Sequence, residues 1–198
     1  MDLFGALHKS SECQHCQRLR QRAAHSQMTA KTILLIEDNS SDIVLTRRAL
    51  ERSHVAHELV VAQDGQEALA YLLGSGEHAG RDLTALPDVT LLDLHLPRMS
   101  GLDVLRTIRA DPRTRRMPVI MLTSSNEEHD VAASYDLGVN SYIQKPIDSG
   151  RFAEAIGQLV AYWLLLNEPP PRSQVMRTLP PALLTSPTVL RLGLSSGM

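Results

Sequence analysis

Side chains suited to phosphoryl chemistry follow four short, mostly aliphatic runs along this 198-residue chain. The acidic pair Glu37-Asp38 comes directly after the first run, and Asp93, Thr123 and Lys145 follow three later runs. Carboxylates that lie close together repel one another unless a hard divalent cation bridges them, and Mg²⁺ prefers such oxygen ligands. A nearby amine and hydroxyl can neutralise and hydrogen-bond the oxygens of a phosphoryl group. The pattern therefore indicates a metal-assisted site that accepts a phosphoryl group.

The runs that precede these residues have the composition of buried β-strands. They cover residues 33–36, 89–92, 119–122 and 141–144. Each is short and is separated from the next by helical sequence, which favours parallel strands that are buried on both faces. Because sites in open parallel sheets form outside the carboxyl ends of the strands, the polar residues should meet at one edge of the sheet.

The same part of the chain alternates strand and helix five times. A further extended segment is predicted over residues 57–62, and a loop over 74–87. The predicted helices cover residues 40–50, 66–73, 102–110, 126–137 and 149–166. Right-handed connections between these units favour an α/β fold with a doubly wound, flavodoxin-like, five-stranded parallel sheet in the order 2-1-3-4-5 and helices on both faces.

Composition predicts one ordinary core with a flank at each end. We expect a disordered leader over residues 1–30, a central domain over 31–166 and a proline-rich flexible tail over 167–198. The central part is acidic, whereas both flanks carry a small positive charge. Since no dense basic stripe with interleaved aromatics occurs, direct nucleic-acid binding is not expected.

The sequence also bears on location. No run approaches the roughly 18 apolar residues of a membrane span, and the N-terminus lacks the apolar core of a signal peptide. We therefore expect a cytoplasmic protein that does not bind membranes.

Cys13 and Cys16 form a single CxxC in the leader, which has the ligand types for zinc but lacks a second ligand pair. Alternatively, Met28 is the true start and residues 1–27 are not translated.

Residues 32–166 resemble the receiver domain of two-component response regulators. The resemblance rests on an acidic pair, an Asp, a Thr-Ser and a Lys-Pro that follow strands one, three, four and five in that order. The run from Asp93 to Gly101 is similar to the phosphoacceptor loop of that family. Three short sequence motifs are most similar to those of the small single-domain regulators that partner bacterial phytochromes. They lie at residues 36–40, 122–126 and 162–164.

The resemblance implies a role for each acidic residue. Asp93 would accept a phosphoryl group from a phosphohistidine of a sensor histidine kinase, with a phytochrome as one candidate partner. Asp38, Asp93 and the backbone carbonyl of His95 would ligate Mg²⁺ directly. Glu37 would act mainly through a metal-bound water.

The resemblance also implies a switch at the end of the site. Thr123 and Lys145 would contact the phosphoryl oxygens. Tyr142 would move inward as the Thr123 side chain turns towards the phosphoryl group, although an ordinary half-buried strand tyrosine is the alternative. A cis peptide between Lys145 and Pro146 is implied as well.

Three functions are compatible with these residues. The leading one is a phosphoaccepting signalling protein, which is not an enzyme beyond its own phosphorylation and dephosphorylation. The second is a docking module that keeps the receiver fold without using phosphate, and the intact set of site residues disfavours it. The third is an aspartyl-nucleophile phosphohydrolase, which would normally carry a second Asp two residues after its nucleophile. The residue two after Asp93 is His95.

The final helix predicts self-association. Residues 152–160 carry one apolar stripe, but residues 161–166 are apolar all round, which is more apolar surface than one core can bury. The proline-rich tail is too short for a DNA-binding output domain, so the output should be binding. We expect a homodimer across the face of helix 4, strand 5 and helix 5, although the tail could instead cover this segment. The expected interfacial residues are Tyr162, Trp163, Leu164 and Leu165.

Overall fold

The computed structural model describes residues 31–53, 55–145 and 148–169. The leader with Cys13, Cys16 and Met28, the peptide bond between Lys145 and Pro146, and the tail from residue 170 lie outside the described residues. The expected disordered leader, cis peptide and flexible tail therefore stay predictions, and the alternatives of a zinc site and of a start at Met28 stay open.

Five parallel strands form one sheet in the order β2-β1-β3-β4-β5, which confirms the predicted doubly wound fold. The strands are β1 (Lys31–Ile36), β2 (His57–Ala62), β3 (Val89–Leu92), β4 (Val119–Thr123) and β5 (Ser141–Gln144). In the register, Ile36 at the end of β1 pairs with Leu92 at the end of β3, and Thr123 at the end of β4 pairs with Gln144 at the end of β5. The residues that follow these strands therefore emerge along the same edge.

Five helices connect and follow the strands. They are α1 (Ser40–Arg52), α2 (Gly65–Leu73), α3 (Gly101–Ala110), α4 (Glu128–Asp136) and α5 (Ser149–Val160). The side chain of Asn39 caps α1 and that of Asp64 caps α2, each by accepting hydrogen bonds from two backbone N–H groups of the first turn. The loop after α2 contains a short 3₁₀ turn, Gly76–His78.

The sheet separates two apolar cores. One lies between the sheet and α2 and α3, where Leu72 and Val104 are among its fully buried side chains. The other lies between the sheet and α1 and α5, where Leu50 and Ile156 are fully buried. Every residue of β3 and β4 is buried, as expected for strands covered on both faces. Within the described residues, no helix is long and apolar enough to cross a membrane.

The helices match the predicted ranges to within two residues at each end, and two of the differences have a clear structural basis. Helix α4 begins at Glu128 rather than Asn126, because the Ser125 hydroxyl accepts the N–H of Glu127 at 3.3 Å and offers the backbone an alternative to helix. After Val160, the last helix continues as wider π-helical turns over Ala161–Leu166.

The placement of Leu164 differs from the prediction that it is interfacial. Its side chain is only 6 % exposed and packs in the core beneath α5. The reason is that Leu164 lies four residues after Val160 and extends the buried stripe of α5 by one turn. It is not part of the surface available to a partner.

Candidate functional site

Three carboxylates meet at the carboxyl edge of the sheet. One ligand oxygen each from Glu37, Asp38 and Asp93 can be chosen so that all lie within 4.8 Å of one another. Glu37 and Asp93 are almost fully buried, whereas Asp38 is exposed. The backbone N–H of Asp93 donates to the Ile36 carbonyl at 2.9 Å, so the pairing of β1 and β3 sets the position of this residue. The predicted acidic cluster is present.

Lys145 reaches this cluster from the end of β5. Its Nζ lies 2.6 Å from Glu37 Oε2, 2.8 Å from Asp42 Oδ2 and 3.2 Å from Asp93 Oδ1. Its backbone N–H donates to the Thr123 carbonyl at 2.7 Å, which extends the pairing of β4 and β5 by one residue. The ammonium is therefore held at the centre of the acidic edge.

Asp42 is a neighbour of Lys145 that the sequence pattern does not predict. This residue lies in the first turn of α1, where an acidic side chain is usually explained by the helix dipole. No local pattern distinguishes it from other acids in a first helical turn, because the contact that sets it apart comes from Lys145 at the end of β5.

Burial and charge shift the protonation of the buried pair. Burial raises the pKa of Glu37 to about 7, an effect that the hydrogen bond and charge of Lys145 oppose and the charge of Asp93 increases. Burial lowers the pKa of Lys145, but hydrogen bonds to Asp42 and Glu37 and the nearby carboxylate charges leave it above its ordinary value. Lys145 is therefore charged at neutral pH, yet a single cation serves several carboxylates. A divalent cation would relieve the remaining repulsion.

The loop after β3 packs tightly beneath Asp93. The N–H of His95 donates to Asp93 Oδ2 at 3.0 Å, and the N–H of Gly101 donates to the Leu94 carbonyl at 2.8 Å. A Cβ atom on Gly101 would lie 2.2 Å from the Asp93 backbone oxygen, so only glycine allows this approach. The structure thus places His95 beside Asp93, and the metal-ligating role of its carbonyl stays a prediction.

Thr123 and Tyr142 both contact the loop after β4. Thr123 is fully buried, and its Oγ1 accepts the N–H of Ser125 at 3.2 Å. The hydroxyl of Tyr142 donates to the Ser125 carbonyl at 3.1 Å, while the Ser125 hydroxyl donates to Asp130 Oδ2 at 2.6 Å. The backbone of Ser125 therefore links the Thr123 hydroxyl to the Tyr142 hydroxyl through two hydrogen bonds.

The end of the last helix carries exposed apolar side chains. Tyr162 is 51 % exposed, Leu165 64 % and Leu166 77 %. Trp163 is half-buried and packs against the core beneath α5. Of the four predicted interfacial residues, Tyr162 and Leu165 are the most accessible.

Comparison with known proteins agrees with this arrangement. Residues 33–157 match the response regulator receiver domain family. Response regulator Rcp1 of Synechocystis sp. is 38 % identical over 134 residues, which cover 68 % of this chain and 89 % of Rcp1. A structure of the manganese-bound form of response regulator Rcp1 is 37 % identical, with a TM-score of 0.66 over 71 % of this chain and 99 % of that one.

Two further solved structures are similar. The phosphorylated cyanobacterial phytochrome response regulator RcpA is 42 % identical, with a TM-score of 0.68 over 72 % of this chain and 99 % of that one. The bacteriophytochrome response regulator RtBRR is 48 % identical, with a TM-score of 0.59 over 75 % of this chain and 90 % of that one. With the family match and the shared sheet topology, these likenesses show that the chain belongs to the response regulator receiver domain family.

Proposed function

We propose that this protein is a phosphoacceptor in which Asp93 receives a phosphoryl group from a phosphohistidine of a sensor histidine kinase. The convergence of the Lys145 ammonium and three carboxylates at one sheet edge, with Nζ 3.2 Å from Asp93 Oδ1, carries this proposal. An Asp that only caps a helix or lies in a loop would not need a buried ammonium and two further carboxylates beside it. The protein would act on itself alone, by gaining and losing its own phosphoryl group.

The acidic cluster fits a divalent cation. Its three carboxylates offer oxygen ligands within 4.8 Å of one another, the donor type that Mg²⁺ prefers, and the similar Rcp1 has been solved with manganese. Asp38, Asp93 and the His95 carbonyl would hold the ion directly, and Glu37 through a water. When bound, Mg²⁺ supplies positive charge that offsets the charge of the phosphoryl oxygens.

The chain's own residues then account for the transfer. An oxygen of the Asp93 carboxylate attacks phosphorus, the P–O bond forms, and the P–N bond to the donor imidazole breaks as the imidazole leaves with a proton. Lys145 neutralises charge on the phosphoryl oxygens, and the Thr123 hydroxyl donates a hydrogen bond to one of them. When the Thr123 side chain turns towards that oxygen, the loop at Ser125 moves, and Tyr142 moves with it as the predicted switch.

A phytochrome is the partner that similarity favours. RcpA is a cyanobacterial phytochrome response regulator and RtBRR a bacteriophytochrome response regulator, and this chain spans nearly their whole length. We therefore propose a phytochrome histidine kinase as the donor and the cytoplasm as the place of transfer.

Self-association is the proposed output. We propose a homodimer across the α4, β5 and α5 face, with Tyr162, Trp163 and Leu165 at its interface. The exposure of Tyr162 and Leu165 supports this, since apolar side chains grouped in one segment often mark an interaction site. Phosphorylation would strengthen the dimer through the Thr123–Tyr142 switch.

Incubation with acetyl phosphate and Mg²⁺, followed by intact-mass measurement, tests the central proposal. We expect wild type to gain the mass of one phosphoryl group and Asp93→Asn to gain none, because the amide keeps the shape but loses the nucleophilic charge. Circular dichroism would show that the variant is folded.

Two results would contradict the proposal. If Asp93→Asn gained the phosphoryl mass at the wild-type rate, Asp93 would not be the acceptor. If wild type gained no mass although it bound Mg²⁺, the protein would be a docking module of receiver fold. Steady release of phosphate from small phosphomonoesters would instead indicate a phosphohydrolase.

A further inference from the structure

Asp42 contacts the central cation of the site from outside the acidic cluster. Its Oδ2 accepts a hydrogen bond from Lys145 Nζ at 2.8 Å, although 103 positions separate the two residues in the chain. Asp42 is fixed on α1, whose first turn is capped by the side chain of Asn39. Its side chain is 28 % exposed, against 11 % for Lys145, so it lies at the mouth of the pocket.

The three carboxylates around Lys145 differ in whether they belong to the cluster that could bind a divalent cation. An ammonium has three N–H donors, and it faces Glu37, Asp42 and Asp93 at 2.6, 2.8 and 3.2 Å. Glu37 and Asp93 belong to the cluster that can share its oxygens with a divalent cation, and Asp42 does not, among the described residues. Asp42 is therefore the neighbour whose carboxylate need not be shared between Lys145 and a cation in the cluster.

The Asp93 contact is the one that phosphorylation must change. A phosphoryl group on Asp93 would add new oxygens beside the carboxylate, whose Oδ1 lies 3.2 Å from Lys145 Nζ. The longest of its three contacts can become a contact with a phosphoryl oxygen while the hydrogen bond to Asp42 stays in place. A lysine side chain has many rotamers, so a group that holds its end in advance spares the reaction that ordering.

We propose that Asp42 is a positioning residue that holds the Lys145 ammonium ready for the phosphoryl group on Asp93. This inference deepens the proposed function and rests on it. In this role Asp42 acts through Lys145, with which its Oδ2 shares a hydrogen bond at 2.8 Å.

Initial phosphorylation rates with Mg²⁺ and increasing acetyl phosphate test it. For Asp42→Asn we expect the maximal rate to fall about tenfold, in the range usual for loss of an outer orienting group. The half-saturating acetyl phosphate concentration should stay the same or fall, because the substitution removes a negative charge near an anionic donor. Asp42→Glu, which keeps the carboxylate, should recover part of the rate.

Two comparisons separate positioning from a structural role. Glu51→Gln removes the same charge from an exposed position on the same helix and should leave the rate unchanged. In a Lys145→Ala background, which we expect to phosphorylate slowly, Asp42→Asn should cause no further loss, because its effect passes through the missing ammonium. Thermal unfolding of each variant checks that the fold is kept.

Each remaining outcome has a definite meaning. A wild-type maximal rate in Asp42→Asn, or a fall of equal size with and without Lys145, would overturn the positioning role and leave the proposed function standing. A wild type that gains no phosphoryl mass would overturn the proposed function, and this inference with it.

Discussion

Gly101 shows how one residue can set the geometry of the phosphoacceptor. It begins α3 directly beneath Asp93, and its N–H donates to the Leu94 carbonyl at 2.8 Å. A Cβ atom there would lie 2.2 Å from the Asp93 backbone oxygen and 2.8 Å from the Leu94 Cα atom. These are main-chain atoms of the strand end, so they cannot move aside without displacing Asp93 itself.

We therefore expect Gly101→Ala to destabilise the fold by roughly 1–3 kcal/mol, the usual cost of overpacking. Urea unfolding would measure this. Gly157→Ala is the matched control, because Gly157 lies in α5 and its added Cβ would meet no atom within 4 Å. That substitution should stabilise the protein by about 0.5–1 kcal/mol. Equal effects of the two changes would show that the close approach beneath Asp93 is unimportant.

At the scale of elements, the last helix combines packing with exposure. Its α-helical part buries Ile156 and Val160, and its π-helical end buries Leu164 in the same core. Leu165 and Leu166, which follow directly, are the most exposed large apolar side chains in the described residues. The segment thus serves the core of its own chain and presents an apolar surface outside it.

If this surface mediates dimerisation, Leu165→Glu should yield a monomer with nearly unchanged stability, because Leu165 is 64 % exposed. Light scattering with and without acetyl phosphate would measure the oligomeric state. Leu165 is a better probe than Trp163, whose change to Glu would also disturb the core that it contacts. A wild type that stays monomeric at tens of micromolar in both conditions would contradict the proposed homodimer.

The fold was more fully predictable from the sequence than the contacts within the site. Strand order followed from alternation and handedness, and the positions of Asp93 and Lys145 followed from the strand ends. The contact of Asp42 with Lys145 could not be predicted, because it joins α1 to the end of β5 and follows from no local pattern. The later start of α4 was not predicted either, because it depends on one hydrogen bond from the Glu127 N–H to the Ser125 hydroxyl.

At the scale of the whole molecule, the acidic edge opposes the stability of the sheet that forms it. Glu37 and Asp93 are buried at adjacent strand ends, and burying two carboxylates costs free energy that the single ammonium of Lys145 offsets only in part. The two apolar cores on either side of the sheet must offset that cost. Ligand binding to the edge should therefore be visible in global stability.

We expect Mg²⁺ to raise the free energy of unfolding by about 2.7 kcal/mol at a concentration 100 times its Kd. Chemical denaturation at several Mg²⁺ concentrations would measure this gain. Asp38→Asn should lose most of it, because the exposed ligand of the cluster is removed. Glu58→Gln, an exposed charge change on β2, should keep it. A full gain in Asp38→Asn would place the cation elsewhere.

The ion pair between Lys145 and Glu37 joins residues 108 positions apart, and this has a consequence for synthesis on the ribosome. The chain emerges from its N-terminus, so Glu37, Asp42 and Asp93 are all made before the ammonium that offsets part of their charge. A nascent chain that ends before residue 145 can pair β1 with β3 and bring the carboxylates together without that internal counter-charge. Synthesis of Lys145, directly after β5, supplies it, so the acidic edge gains its internal counter-charge only after all five strands have been made.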